Sequence, residues 1–372
     1  MERYKARLVA KGYKQRQGID YEEVYAHVVR METICLLISL AAQMKQKIYQ
    51  LDVKSAFLNG YLEEQVYVEQ PLYFLVKNNE DKVMKLNKAL YGLKQSQRAW
   101  NSCIDKYFQD NGFTHCLHEY ALYLKVHTNG NILLVCLYID GLIFMGNNPS
   151  LFEAFNKDMS REFEMTDIGL MSYYLGLEVK QMEGGIFISQ ENYMKEILKK
   201  FNMLDCNPVN TPMESGTKLS KFDKGEKVNP TFFKSLVGCL WYLTCTMPDI
   251  LFAIGVVSRF MEAPTSTHLK IAKRILRYLK CTIDFGLFYS SFSDFNLVGV
   301  CDNDYAGDTD DRKSTTGFVF FLGDSVIFWS SKKQSIVTLL TCETEYTTTI
   351  SLCVVSIGTN REPGSLYSLV DP

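Results

Sequence analysis

The stretch Leu133-Leu134-Val135-Cys136-Leu137-Tyr138-Ile139-Asp140-Gly141-Leu142-Ile143-Phe144-Met145-Gly146 constrains this chain more than any other. An aliphatic and aromatic run reaches an Asp-Gly pair and then resumes. Asp-Gly between two apolar runs is a strong hairpin signal, because a type I′ turn needs positive φ at both central residues. The stretch therefore predicts two buried antiparallel strands with Asp140 raised to the turn. A carboxylate at the tip of an apolar hairpin faces solvent, a cation or a phosphate, and on these residues alone solvent is the simplest partner.

At 372 residues the chain has room for two or three domains and a sizeable core. Its 47% hydrophobic and 22% charged residues are those of an ordinary soluble protein. A net charge of −2 gives no global electrostatic case for nucleic acid, so any such case must come from local clusters. No apolar run is long enough to span a bilayer, and Met1-Glu2-Arg3-Tyr4-Lys5 lacks the apolar region of a signal peptide. The eleven cysteines stand singly, without C-x-x-C pairs, and are expected as buried thiols in a reducing compartment.

Basic residues Arg3, Lys5, Arg7, Lys11, Lys14 and Arg16 open the chain, either as a solvated face or as a grip on phosphates. Ile34, Leu37, Ile38, Ala41 and Met44 share one face of a helix capped by Thr33. In the strand-like run around Asp52, alternation puts Leu51 and Val53 on the face opposite the carboxylate. A strand pair is expected over 83–90, then a helix from Ser96 with Trp100 in the core. Strands are expected at 121–126, 132–145, 173–180 and 185–189, with helices at 149–163 and around Tyr193 to Phe201. Residues 205–230 are the linker candidate. Helices at 231–245, 248–261 and 267–280 follow. The last carries Lys270, Lys273, Arg274 and Arg277 on one face, a spacing that suits either solvent or a phosphate backbone. Strands at 296–302, 316–322 and 325–330 and a helical stretch over 342–355 complete an order that argues for α+β.

Metal-assisted phosphoryl transfer needs acidic side chains converging from separate strands onto hard divalent cations. Asp52 and Asp140 qualify because each interrupts an apolar strand. A second acidic set lies at Asp302, Asp304, Asp308, Asp310 and Asp311, with Glu343 and Glu345 further on.

Several motifs resemble the reverse transcriptase of copia-type LTR retrotransposons. They are Lys5-Ala6-Arg7-Leu8-Val9-Ala10-Lys11-Gly12, Gln50 to Gly60, Ala89 to Gln95, Tyr138-Ile139-Asp140, Tyr174 to Glu178 and Arg274 to Lys280. Asp302 to Asp308, followed by Asp311 to Gly317, is similar to the start of that family's ribonuclease H domain. The resemblance implies a right-hand polymerase of fingers, palm and thumb followed by a truncated ribonuclease H-like domain. Its expected boundaries are fingers and palm over 1–204, a linker over 205–230, a helical thumb- or connection-like segment over 231–290, a partial ribonuclease H-like domain over 291–356 and a non-family tail over 357–372. It implies an RNA-directed DNA polymerase acting on an RNA template and DNA primer, or an RNA/DNA hybrid, with dNTP substrates and Mg²⁺ or Mn²⁺. It further implies other Pol and Gag proteins as partners and a place in a cytoplasmic virus-like particle or the nucleus.

By residue, the resemblance makes Asp52 and Asp140 the catalytic, metal-bridging carboxylates and Phe57 the steric gate against a ribose 2′-OH. It sets Lys5, Arg7, Tyr91, Gly92 and Lys94 around the nucleotide, and Gly176 in the primer-gripping hairpin. Gly238 and Tyr242 fall on a thumb face along template–primer, while Asp302 and Glu345 are the candidate ribonuclease H ligands. One departure bears directly on the chemistry. The family turn carries two adjacent aspartates, and here the second is Gly141. His27 and Gln97 also stand where the family has proline, and the ribonuclease H pattern ends near Val355, so no ribonuclease H activity is expected.

Overall fold

The computed structural model describes residues 7–117, 119–291 and 295–360, with side chains described up to residue 350. The first half of the chain runs through α1 (Met31–Gln43), β1 (Tyr49–Val53), β2 (Tyr61–Val68), β3 (Met84–Lys88) and α2 (Ser96–Asp110). It continues through β4 (Thr114–Cys116), β5 (Glu119–Val126), β6 (Ile132–Tyr138), β7 (Gly141–Gly146), α3 (Pro149–Glu162) and β8 (Met165–Leu170). The second half adds β9 (Tyr173–Tyr174), β10 (Leu177–Met182), β11 (Gly185–Ser189), α4 (Glu191–Lys200), α5 (Pro230–Leu243), α6 (Leu251–Ser258) and α7 (Ser266–Cys281). Then come β12 (Gly286–Ser290), β13 (Leu297–Asn303), β14 (Thr315–Leu322), β15 (Ser325–Lys333) and α8 (Thr341–Asn360). Two compact units result: Met1–Arg30 with Gln46–Met171, and Met31–Lys45 with Ser172–Pro372. Among the described residues no helix is long and apolar enough to cross a membrane.

The first unit is built on a six-stranded sheet of order β4-β5-β6-β7-β1-β8. Strand β1 lies between β7 and β8, antiparallel to both. Leu51 and Val53 are fully buried, as alternation requires, while Asp52 between them is half-buried on the opposite face. α2 and α3 cover the Leu51 face, where Trp100, Ile104 and Phe108 pack with Leu133, Val135, Leu142, Phe144, Phe155 and Met159. Each fully buried Leu, Ile or Phe in such a cluster contributes about 1.5–3 kcal/mol. α3 starts where Asn148 accepts the Ser150 amide and Pro149 presets the first turn.

The N-terminal segment is locked to the start of α2 by two glycines. A Cβ on Gly12 would lie 1.8 Å from the Gly92 carbonyl oxygen, and one on Gly92, at φ +93°, 2.2 Å from the Ala10 oxygen. The Ala10 amide donates to the Tyr91 carbonyl at 2.7 Å across this crossing.

In the second unit, β12-β11-β10-β9 form one sheet and β13-β14-β15 another. A helical core joins α4, α5, α6 and α7 through Leu198, Leu236, Leu240, Ile254, Ile275 and Leu279. α1 belongs to this unit, and its Gln43 Nε2 donates to the Leu322 carbonyl at 2.8 Å. α5 is capped by Asn229, which accepts the Thr231 and Phe232 amides, with Pro230 in the first turn. The described cysteines are free thiols, but only Cys35 and Cys136 are buried, and Cys281 and Cys342 are exposed.

Gly12→Ala is expected to lower stability by about 3 kcal/mol, because the backbone crossing must open. Gly18→Ala, at φ +78° with nothing within 4 Å of its Cβ, is expected to cost about 1 kcal/mol. Urea titration of both variants checks this, and equal losses would refute the account of the crossing.

Candidate active site

The hairpin of β6 and β7 forms where the apolar runs require it, with a different turn from the one the Asp-Gly pair suggested. Tyr138 pairs with Gly141, so the two turn residues are Ile139 and Asp140. Ile139 has φ +55°, whereas neither Asp140 nor Gly141 has positive φ. Gly141 is therefore the first residue of β7, and its backbone does not need glycine. A β-branched residue at positive φ costs on the order of 1–3 kcal/mol and persists only where surroundings enforce it. Two contacts do so here. The Trp100 indole N–H donates to the Ile139 carbonyl at 2.6 Å, and the Val53 amide donates to the Asp140 carbonyl at 2.8 Å.

The same pairing sets Asp52 on β1 directly opposite Gly141, the residue that follows Asp140. Asp52 and Asp140 are both half-buried. Two carboxylates from adjacent backbones offer the hard oxygen donors that a divalent cation such as Mg²⁺ takes. Among the described residues no three His, Cys, Asp or Glu side chains converge as a metal group.

Near this pair in sequence, Phe57 sits on a short 3₁₀ turn (Ala56–Asn59) entered through Ser55 at φ +54°. Its ring centroid lies 5.1 Å from that of Tyr91, and the Arg7 guanidinium is 4.7 Å from the same Tyr91 centroid. Arg7 thus lies over Tyr91, whose ring meets that of Phe57 at a tilt of 51°. Gly92 and Lys94 are exposed beside it, and the Lys94 amide donates to Gln15 Oε1 at 2.9 Å. Lys5 lies outside the described residues.

In the second unit, Gly176 and Tyr242 meet. The Tyr242 hydroxyl donates to the Leu175 carbonyl, and a Cβ on Gly176, at φ +73°, would lie 2.7 Å from that hydroxyl. Gly238 is exposed on α5 with open space around it. On α7, Lys270 and Lys273 are exposed. Arg274 instead binds Glu214 at 2.6 Å and Thr211 at 3.0 Å, and Arg277 donates to the Asn207 carbonyl at 2.7 Å. These two arginines fasten the 207–214 segment to the helix.

Asp302 and Glu345 are exposed on β13 and α8. The acidic run after Asp302 is largely consumed by internal contacts. Asp308, almost fully buried, meets Lys333 at 2.6 Å and Arg259 at 3.1 Å and accepts the Asp310 and Asp311 amides. Burial raises its pKa, but Lys333 and the two amides outweigh that and hold the carboxyl well below the usual range. Asp310 accepts from Ser220 and the Lys221 amide, and Glu343 accepts the Leu339 amide.

A family profile described as reverse transcriptase (RNA-dependent DNA polymerase) matches residues 1–215. The chain belongs to the reverse transcriptase family. It is 40% identical over 346 residues to the retrovirus-related Pol polyprotein from transposon RE1 of Arabidopsis thaliana, covering 93% of this chain and 24% of that protein. Identity to the Pol polyprotein from transposon TNT 1-94 of Nicotiana tabacum is also 40%, over 92% of this chain and 26% of the relative. A putative transposon Ty5-1 protein of Saccharomyces cerevisiae is 31% identical, over 80% of this chain and 97% of its own length. The chain spans about a quarter of the two plant polyproteins and is a reverse transcriptase domain of the copia-type Pol kind.

For this reverse transcriptase, sequence reasoning assigned Trp100 to the core and missed its second task, the bond that holds the Ile139 turn. The only sequence signal for it is an indole N–H on a buried helix face, which must find an acceptor.

Because the folded pKa of Asp308 is depressed, its stabilisation is present above the ordinary carboxylate pKa of about 4 and is lost as pH falls through and below that value. Asp308→Asn is expected to cost about 3 kcal/mol at pH 7, since Arg259 and Lys333 lose their shared counter-charge. The gap from the parent protein should shrink below pH 4. Chemical denaturation at pH 7 and pH 3 checks this, and a gap independent of pH would contradict it.

Proposed function

We propose that this chain is an RNA-directed DNA polymerase domain that grips template–primer but carries out nucleotidyl transfer poorly. In this reading the six-stranded sheet is the palm, the β2–β3 ribbon with the N-terminal segment is the fingers, and α5 to α7 serve as the thumb. The ribonuclease H-like part would comprise β13 to α8. The observation that carries the reading is Asp52 standing opposite Gly141, with Asp140 at the adjoining turn.

In the reaction a primer 3′-OH attacks the α-phosphorus of a dNTP and releases pyrophosphate. Asp52 and Asp140 would hold Mg²⁺ or Mn²⁺, which supplies charge stabilisation for the attacking and leaving oxygens. The Phe57 ring, braced by Tyr91, is suited to exclude a ribose 2′-OH. Arg7, stacked on Tyr91, and Lys94 are suited to meet the triphosphate. Gly176 and Tyr242 would shape the hairpin that positions the primer end. Lys270 and Lys273 would contact phosphates, and Gly238 leaves α5 open to close approach. Other Pol and Gag proteins would be the partners in a particle. Gly141 withdraws one carboxylate from the point where charge develops. The loss of one such contact costs roughly 3 kcal/mol, about two orders of magnitude in rate.

Primer extension on an RNA template with Mg²⁺ or Mn²⁺ tests the reading. Gly141→Asp is expected to raise the extension rate about a hundredfold. The backbone at 141 lacks positive φ, so aspartate is compatible with it. Robust extension by the parent chain, unchanged in the variant, would sink the proposal. In salt-dependent gel shifts, Lys270→Glu with Lys273→Glu should lower the slope of log K against log salt by about two. An unaltered slope would remove α7 from the interface.

A further inference from the structure

We propose that a cavity of about 700 Å³ in the second unit binds a flat aromatic molecule carrying an anionic group. Every lining residue belongs to that unit, and neither Asp52 nor Asp140 is among them. Its size lies within the range of small-molecule sites, about 300–1,000 Å³.

The walls select the ligand. Two of the chain's three tryptophans, Trp241 and Trp329, line the cavity together with Phe328. The Trp329 indole N–H donates to the Thr244 carbonyl at 2.9 Å, which fixes that ring in the wall. Preset aromatic surfaces favour a planar aromatic guest through offset or edge-to-face contact. Three cations, Arg259, Lys332 and Lys333, line the same space against one carboxylate, Glu32. Arg259 and Lys333 share Asp308, and Lys333 also reaches Asp311 at 2.8 Å. Lys332 is exposed and makes no ion pair among the described residues. With Arg259 and Lys333 already paired to Asp308 and Asp311, Lys332 is the lining cation left to pair with an anionic group on the guest, and a cationic aromatic would meet like charge there. A nucleoside monophosphate and an aromatic carboxylate share this chemistry.

Gly255 provides a blocking position. It lines the cavity, and a Cβ there would meet only the Ser331 carbonyl, at an ordinary 3.8 Å. The probes are 8-anilinonaphthalene-1-sulfonate and its uncharged analogue N-phenyl-1-naphthylamine, titrated into the full chain and read by energy transfer from tryptophan. One sulfonate probe per chain is expected. Gly255→Phe should weaken both probes by tenfold or more, and Lys332→Glu should weaken the sulfonate about tenfold while leaving the neutral analogue within about twofold. Near-ultraviolet circular dichroism shows whether Gly255→Phe is folded; if it is not, Lys332→Glu alone carries the test, because its side chain is exposed. Undiminished binding in folded Gly255→Phe, or equal effects of Lys332→Glu on both probes, would overturn the site. Displacement by deoxyadenosine monophosphate identifies the nucleotide class and displacement by 1-naphthoate alone the carboxylate class. Displacement by neither overturns the proposal.

Discussion

The register between β1 and β7 is the constraint on which the candidate active site depends. Pairing of Leu51 with Leu142 and Asp52 with Gly141 buries two leucines toward α2 and α3 and turns Asp52 to the other face. A slip of one residue would exchange those faces, bury the carboxylate among Trp100 and Phe144, and expose Leu51. The apolar core therefore specifies where the acid stands. The Val53 amide bond to the Asp140 carbonyl, one step further along, brings the turn into the same register.

That turn is held under strain by groups remote from it in sequence. Ile139 at φ +55° is unfavourable in isolation, and the indole of Trp100 on α2 is what its carbonyl finds. A buried indole that needs an acceptor and a turn that needs an anchor satisfy each other. α2, which covers the six-stranded sheet, thus also fixes the backbone at Asp140. Gly141 follows this turn as the first residue of β7 and has no positive φ.

Acidic residues that look alike in sequence divide by environment. Asp52 on β1 and Asp140 in the adjoining β6–β7 turn are both half-buried. Asp308 and Asp310 are absorbed by lysine, arginine, serine and backbone amides, and they tie loops of the second unit together. Among the four cations of α7 the same division appears, with Arg274 and Arg277 occupied internally and Lys270 and Lys273 left to solvent.

Much was legible from the chain alone, because burial leaves a period in the sequence. The β6–β7 hairpin, the alternation around Asp52 and the amphipathic stripes of α1, α2, α3 and α7 follow from which residues must leave water. The motifs that resemble copia-type reverse transcriptases identified the family for the same reason that they are chemically specific. Strands β2, β8 and β12 were not legible. β2 carries Glu63, Glu64 and Gln65 in succession, so its residue types do not alternate although its burial does, and β8 contains Gly169 and is largely exposed. Their hydrogen-bonding partners, not their side chains, make them strands. The turn type at Ile139, the association of α1 with the second unit and the partners of Asp308, Arg274 and Arg277 were likewise decided only in three dimensions. Side-chain pattern records what must be buried, but strain, charge pairing and edge strands depend on which distant backbone or side chain arrives beside them.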